Sequence, residues 1–150
     1  MNKHFIPQNK YRKIISLIPI CCVDLIIKEN NSFLLVKRRE NPEKNKWWFA
    51  GGRVLFGETL LQTVKRKLRE ELNIRSFQKI KFLRVDELKF KKGRFQQPEH
   101  NMINLFLIEL SEKDCSKIRP DQTMFGYKWF SNVQKNFCPY IKENLKLAGF

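Results

Sequence analysis

Two adjacent glutamates, Glu70 and Glu71, close the segment GGRVLFGETLLQTVKRKLREELNI, which opens on Gly51-Gly52 and ends at Ile74. Helical spacing places Leu60, Leu61, Val64, Leu68 and Leu72 on one apolar side of a helix running from about Thr59 to Leu72. Lys67, Glu70 and Glu71 share one edge of that side, and Arg69 faces solvent. Arg66 lies one turn before Glu70 and can pair with it. Two acids at a helix edge beside a glycine turn suit a hard divalent cation, which takes oxygen ligands and bridges to phosphate oxygens. The glycines let the backbone come close, so a main-chain carbonyl can join the ligands. The string REE also describes an ordinary solvated face of a helix. The double glycine, together with Glu58 at the helix start, favours the metal. Lys67 is the odd residue, an ammonium where such an edge would carry another acid.

The elements around this segment must hold it in place. Residues 1–13 read as an N-terminal arm, and residues 16–28, rich in apolar and β-branched side chains, as a first strand. Asn30-Asn31 makes a turn, and FLLVKR, 33–38, returns as the second strand of a hairpin. A polar loop with Pro42 leads to the aromatic cluster WWFAGGRV. After the helix, FQKIKFLRVDELKF is a long strand, KKGRFQQPEH a basic loop, NMINLFLIEL another strand and YKWFS a short last one. From Asn132 the chain reads as a C-terminal helix. Strands with one central and one terminal helix indicate a layered α+β fold, a single domain over residues 1–150.

The formal charge of +15 favours an anionic partner: a nucleotide, a nucleic acid or a phosphorylated sugar. A lysine-rich solvated surface would give the same figure. The sequence contains no RNA-binding signature or zinc finger, so nucleic acid is not the partner expected. The basic loop FKKGRF, 90–95, reads as a hairpin tip. The longest apolar run, Leu17 to Ile27, contains Pro19 and Asp24 and is too short to cross a bilayer. With no signal-peptide pattern in MNKHFIPQNKYRK, a cytoplasmic protein is expected. The four cysteines form no CxxC pair, which argues against a zinc site and a disulfide scaffold. Cys21 and Cys22, adjacent in a strand, must face opposite ways.

Gly52, five residues, Glu58, seven residues, Arg66, then Leu68, Glu70, Glu71 and Ile74 follow the spacing of the Nudix box, and the chain resembles the Nudix hydrolase family. It departs from the box at Lys67, where the family has glutamate, and at Asn73, where it has glycine. The missing glutamate is often a metal ligand or part of the base machinery, so ordinary attack of water on phosphorus is put in question. The GDP-mannose mannosyl hydrolase branch also lacks it. VDLII, FLLVKR followed by WWFAGGR, the flanking GGRV and ETL, PDQ at 120–122 and YKW at 127–129 are similar to that branch. The likeness covers about residues 4–130 and is weak over 75–119.

The resemblance implies a Nudix α/β/α sandwich with a mixed central sheet and the motif helix beside it. It implies water attacking the anomeric carbon of a nucleotide-sugar, with magnesium, or manganese, and arginines neutralising the diphosphate. Carried over from the branch, the Gly51 carbonyl and Glu71 hold the metal; Glu70 has no acidic counterpart there but matches the general Nudix ligand set, and Gln122 lies beside the position of the branch's glutamine ligand. Arg38 and Arg53 hold the diphosphate, and Lys67 also faces phosphate. Tyr11 stacks on the base, the Phe5-Ile6 backbone reads it, and Asp24 meets the sugar or braces an arginine. The branch's two loop histidines have no counterpart, falling near Leu88 and Met124. Glu87, Glu99 and His100 are the candidate bases, with His4 placed in the arm. The branch exchanges its arm between subunits, implying a homodimer. A conventional Nudix pyrophosphohydrolase and a nucleotide- or RNA-binding Nudix module are the rival readings.

Overall fold

The computed structural model describes residues 5–150. Helix α1, Gln8–Leu17, precedes strand β1, Ile20–Glu29, and strand β2, Ser32–Arg38. Two short strands, β3, Trp47–Trp48, and β4, Ala50–Arg53, lead to helix α2, Leu60–Leu72. Strands β5, Lys79–Phe90, and β6, Glu99–Glu109, are followed by the short helix α3, Glu112–Cys115. Strand β7, Met124–Phe130, and helix α4, Pro139–Leu147, end the chain.

The sheet runs β3-β2-β1-β6-β5, with β4 added to β1 and β7 to β2. Among the described residues only the β1–β6 pairing is parallel, so the sheet is mixed. Strand β1 lies at its centre and is buried on both faces from Cys22 to Ile27. Its alternation divides the core. Cys22 and Ile26 pack with Phe33, Leu35, Trp48 and the α4 residues Tyr140, Ile141 and Leu145. Val23, Leu25 and Ile27 pack with Leu34 and the α2 residues Val64, Leu68 and Leu72. The result is the expected α/β/α sandwich, with α2 on one face and α1 and α4 on the other.

Helix α2 begins at a capping box: Thr59 accepts from the Gln62 amide, and the Gln62 side chain accepts from the Thr59 amide. It stops at Asn73, whose φ of 59° and ψ of 23° are left-handed. Glycine meets this requirement in the family's motif, and asparagine is among the few other residues that tolerate it. The Asn73 departure therefore leaves the helix end intact.

Four expectations need correction. The arm is not extended: residues 8–17 are helical, because Tyr11, Ile14 and Ile15 recur at helical spacing and pack on the core. The first strand consequently starts at Ile20 rather than 16, since Pro19 drives Ile18 out of the helical region to φ −139° and ψ 151°. Leu61, placed on the apolar side of α2, is exposed. The terminal helix begins at Pro139, not Asn132; proline at the first helical position sets that start. Among the described residues no helix is long and apolar enough to cross a membrane.

Leu68, 1% exposed between α2 and the sheet, fastens the motif helix. Leu68→Ala should lower stability by about 2–5 kcal/mol. Urea unfolding would register this as a lower midpoint at unchanged slope.

Candidate active site

A cavity of about 540 Å³ opens where β1, β2, β4, α1 and the motif helix converge. Its position follows from one register. Asp24 at the centre of β1 pairs with Gly51, and Val23 with Gly52. A Cβ on Gly51 would overlap the Val23 carbonyl oxygen and lie 2.6 Å from Asp24 Oδ1, so only glycine lets β4 approach this closely.

Helix α2 delivers its last acid into this gap. Glu71 is buried. Its Oε2 accepts from the Gly51 amide at 3.1 Å, and its Oε1 lies 2.5 Å from Lys67 Nζ. Burial pushes the Glu71 carboxyl upward, opposed by the Lys67 charge and hydrogen bond and by the Gly51 amide. Lys67 lies along Gly52, where a Cβ would come within 2.9 Å of its Cε and 3.1 Å of its Nζ. The double glycine therefore serves both members of the pair: Gly51 hydrogen-bonds the acid, and Gly52 leaves room for the lysine.

The other motif acids turn to Arg66. Its guanidinium binds Glu58 at both ends, Nε to Oε1 at 2.6 Å and NH2 to Oε2 at 2.9 Å. It also reaches Glu70 Oε2 at 3.1 Å and the Arg53 carbonyl at 3.0 Å. The expected Arg66–Glu70 pair is present, but Glu58 is the stronger partner. The Arg66 hydrogen bonds, assisted by Thr63 and the Leu55 amide, hold the Glu58 carboxyl at about 2. Arg66 therefore clamps the loop after β4 to the helix.

Of the expected metal ligands, Gly51 and Glu71 meet. Glu70 borders the cavity but faces Arg66 and is half exposed. Gln122 is exposed in the turn before β7 and does not line the cavity, unlike its neighbour Thr123. Both Glu71 oxygens and both Glu58 oxygens have partners. Among the described residues no group of three or more His, Cys, Asp or Glu is placed to hold a metal ion. The donor set of the chain as it stands therefore does not fit a divalent ion held by the protein alone. Lys67 supplies the charge that Glu71 would otherwise take from one.

Arg38, Arg53 and Tyr11 all line the cavity, with Phe5 and Ile6 at its rim. Arg38 is half buried on the cavity wall, and its Nε is buried without a hydrogen-bond partner. The Tyr11 ring, expected under a base, already carries the Arg53 guanidinium 4.6 Å from its centroid, with Arg94 at 5.9 Å. Arg94, from the basic loop, also lines the cavity.

Asp24 is buried on the wall, where Tyr140 donates to its Oδ2 at 2.7 Å. Burial raises its carboxyl to about 7, against the Tyr140 hydrogen bond and the nearby Arg38 charge. Tyr140 was invisible in the sequence: it lies far along the chain and carries no motif. Of the candidate bases, Glu99 borders the cavity, fixed by the Arg94 amide and Asn101. Glu87 and His100 pair with each other at 2.8 Å away from it. His4 lies outside the described residues. Cys21 is exposed and Cys22 buried, as their adjacency required.

Residues 20–135 match the NUDIX domain family. Members of that family generally use a divalent metal. The low-salt glycan biosynthesis protein Agl8 of Haloferax volcanii is 33% identical over 69 residues, covering 46% of this chain and 44% of that protein. An ADP-ribose pyrophosphatase of Methanocaldococcus jannaschii is 42% identical over 65 residues, covering 43% and 37%. The chain thus spans less than half the length of either. Among solved structures, a MutT NUDIX hydrolase from Burkholderia pseudomallei superposes with a TM-score of 0.71 at 21% identity, covering 87% of this chain and 98% of that one. The NUDIX domain of Shewanella oneidensis NrtR, complexed with ADP ribose, gives 0.70 at 18% identity, covering 95% and 97%. At these identities the structures establish the fold.

The Asp24 shift fixes a sign. A carboxyl raised from its ordinary 3.8 to about 7 binds its proton more tightly in the folded chain. Its stabilising contribution is complete below its unfolded value and is lost as pH rises through about 7. Asp24→Asn, which keeps an acceptor for Tyr140, should flatten the fall in urea midpoint between these values. A variant as pH-dependent as the wild type would contradict the assignment.

Proposed function

The chain belongs to the NUDIX family of hydrolases, and from that premise we propose that it hydrolyses a nucleotide-sugar of the GDP-mannose kind. Water attacks the anomeric carbon, the bond from that carbon to the diphosphate oxygen breaks, and the nucleoside diphosphate leaves with the electron pair. The observation that carries this reading is the cation set of one cavity: Lys67, Arg38 and Arg53. Attack at carbon asks the protein chiefly to stabilise charge on a departing diphosphate, which positioned cations do. Attack at phosphorus draws on the acid that Lys67 replaces. The partial likeness to a protein named for glycan biosynthesis agrees with a sugar substrate.

Each residue then has a task. Arg38 offers its guanidinium to a phosphate oxygen from the cavity wall, and Arg53, held on Tyr11, offers a second charge-assisted contact. Lys67 faces the same anion from the helix edge. Asp24, whose proton affinity suits neutral pH, accepts the proton from the attacking water. Magnesium or manganese enters this reading as the counter-ion that a diphosphate carries in solution.

A second reading has its own support. The likeness to an ADP-ribose pyrophosphatase favours cleavage within the diphosphate. Phosphorus and proton NMR with GDP-mannose, GDP-glucose, ADP-ribose and GTP separates the two. Free sugar of inverted configuration plus GDP is expected. A nucleoside monophosphate would overturn attack at carbon. Asp24→Asn should lower kcat by about 10²–10⁴-fold without changing the products.

A further inference from the structure

We infer that this site carries its own cation: Lys67 occupies the place of a divalent ion at Glu71, so the free chain holds no such ion and grips a diphosphate directly through Lys67, Arg38 and Arg53. The part concerning diphosphate rests on the function proposed above; the part concerning the ion does not.

The pair is built into the fold rather than laid on the surface. Lys67 Nζ and Glu71 Oε1 are 2.5 Å apart, with side chains only 16% and 11% exposed. The partners are one helical turn apart, so the helix itself sets their separation. Lys67 lies against Gly52, its Cε and Nζ 2.9 and 3.1 Å from where a Cβ there would sit. A buried carboxylate needs a compensating positive charge. Here that charge is covalently attached and always present, so an incoming ion would have to displace it.

The other motif acids are already paired. Glu58 and Glu70 are engaged by Arg66. Asp121, whose charge acts on Glu71, has its Oδ1 engaged by the Thr123 amide and hydroxyl, at 2.8 and 2.5 Å. Its own amide binds the Glu71 carbonyl at 2.9 Å. On the open side, Lys67 borders the same cavity as Arg38 and Arg53. An ammonium has three donors, so Lys67 can keep Glu71 while turning another N–H to a phosphate oxygen.

Manganese and GDP test the two parts separately. The electron paramagnetic resonance signal of free Mn²⁺ should be undiminished by wild-type protein up to millimolar metal. Lys67→Glu, which puts a second carboxylate beside Glu71, should quench it. Lys67→Gln, closer in shape and free of added charge, should quench it weakly, and it serves if the glutamate variant fails to fold. Calorimetry of GDP binding to the wild type should be the same with EDTA as with magnesium, and Lys67→Gln should weaken it by about tenfold or more. Micromolar Mn²⁺ binding by the free wild type, or GDP binding abolished by EDTA, would overturn the inference. If GDP does not bind at all, the proposed substrate class fails, and the manganese result still decides the ion.

Discussion

The ion pair between Lys67 and Glu71 is the constraint around which the site is arranged. A carboxylate buried at the junction of a helix and a sheet is costly unless a charge meets it, and removing one partner of such a pair costs about 3–5 kcal/mol. Meeting it here requires α2 to end where β4 passes, and β4 to pass without side chains. Gly51 gives its amide to Glu71 and Gly52 leaves the lysine its path. Those glycines in turn need β1 beside them, with Asp24 opposite Gly51.

Arg66 performs a different task with the same chemistry. By joining Glu58, Glu70 and the Arg53 carbonyl, it ties the glycine loop to the helix that follows. The loop thereby fixes the start of the Arg53 side chain, which continues to Tyr11 on α1. The chemistry-bearing residues thus come from β1, β2, β4, α1 and α2, and the two ionic clusters and the Arg53 cation–π contact tie α2, β4 and α1 to one another. Their positive charges face inward on the cavity, a local arrangement that net charge alone could not reveal.

Much of the fold was legible in the sequence. Apolar and β-branched runs in β1 and β2 and period-3.6 burial in α2 marked the sandwich, and Asn73 could be read as a helix end because few residues adopt its conformation. The N-terminal helix was missed because residues 1–13 were read as an arm and 16–28 as a strand, while the spacing of Tyr11, Ile14 and Ile15 already carried the helical signal. The last helix was started too early because Asn132 to Cys138 is polar and short of strand formers, yet Pro139 marked the true start.

The site was legible where chemistry is local and illegible where it depends on tertiary contact. Lys67, Glu70 and Glu71 could be set on one edge from helical geometry, with the Gly51-Gly52 turn beside it. That Lys67 would choose Glu71, and Arg66 would favour Glu58 over Glu70, depends on how the glycine loop folds back. Tyr140 reaches Asp24 from across the chain, a contact no spacing announces.

The most direct measurement is a crystal structure of the free wild-type protein grown with excess manganese, with anomalous differences collected at the manganese edge. The account predicts Lys67 Nζ within hydrogen-bonding distance of Glu71 and no anomalous peak on that carboxylate. A manganese ion bound to Glu71, with Lys67 turned away, would contradict it.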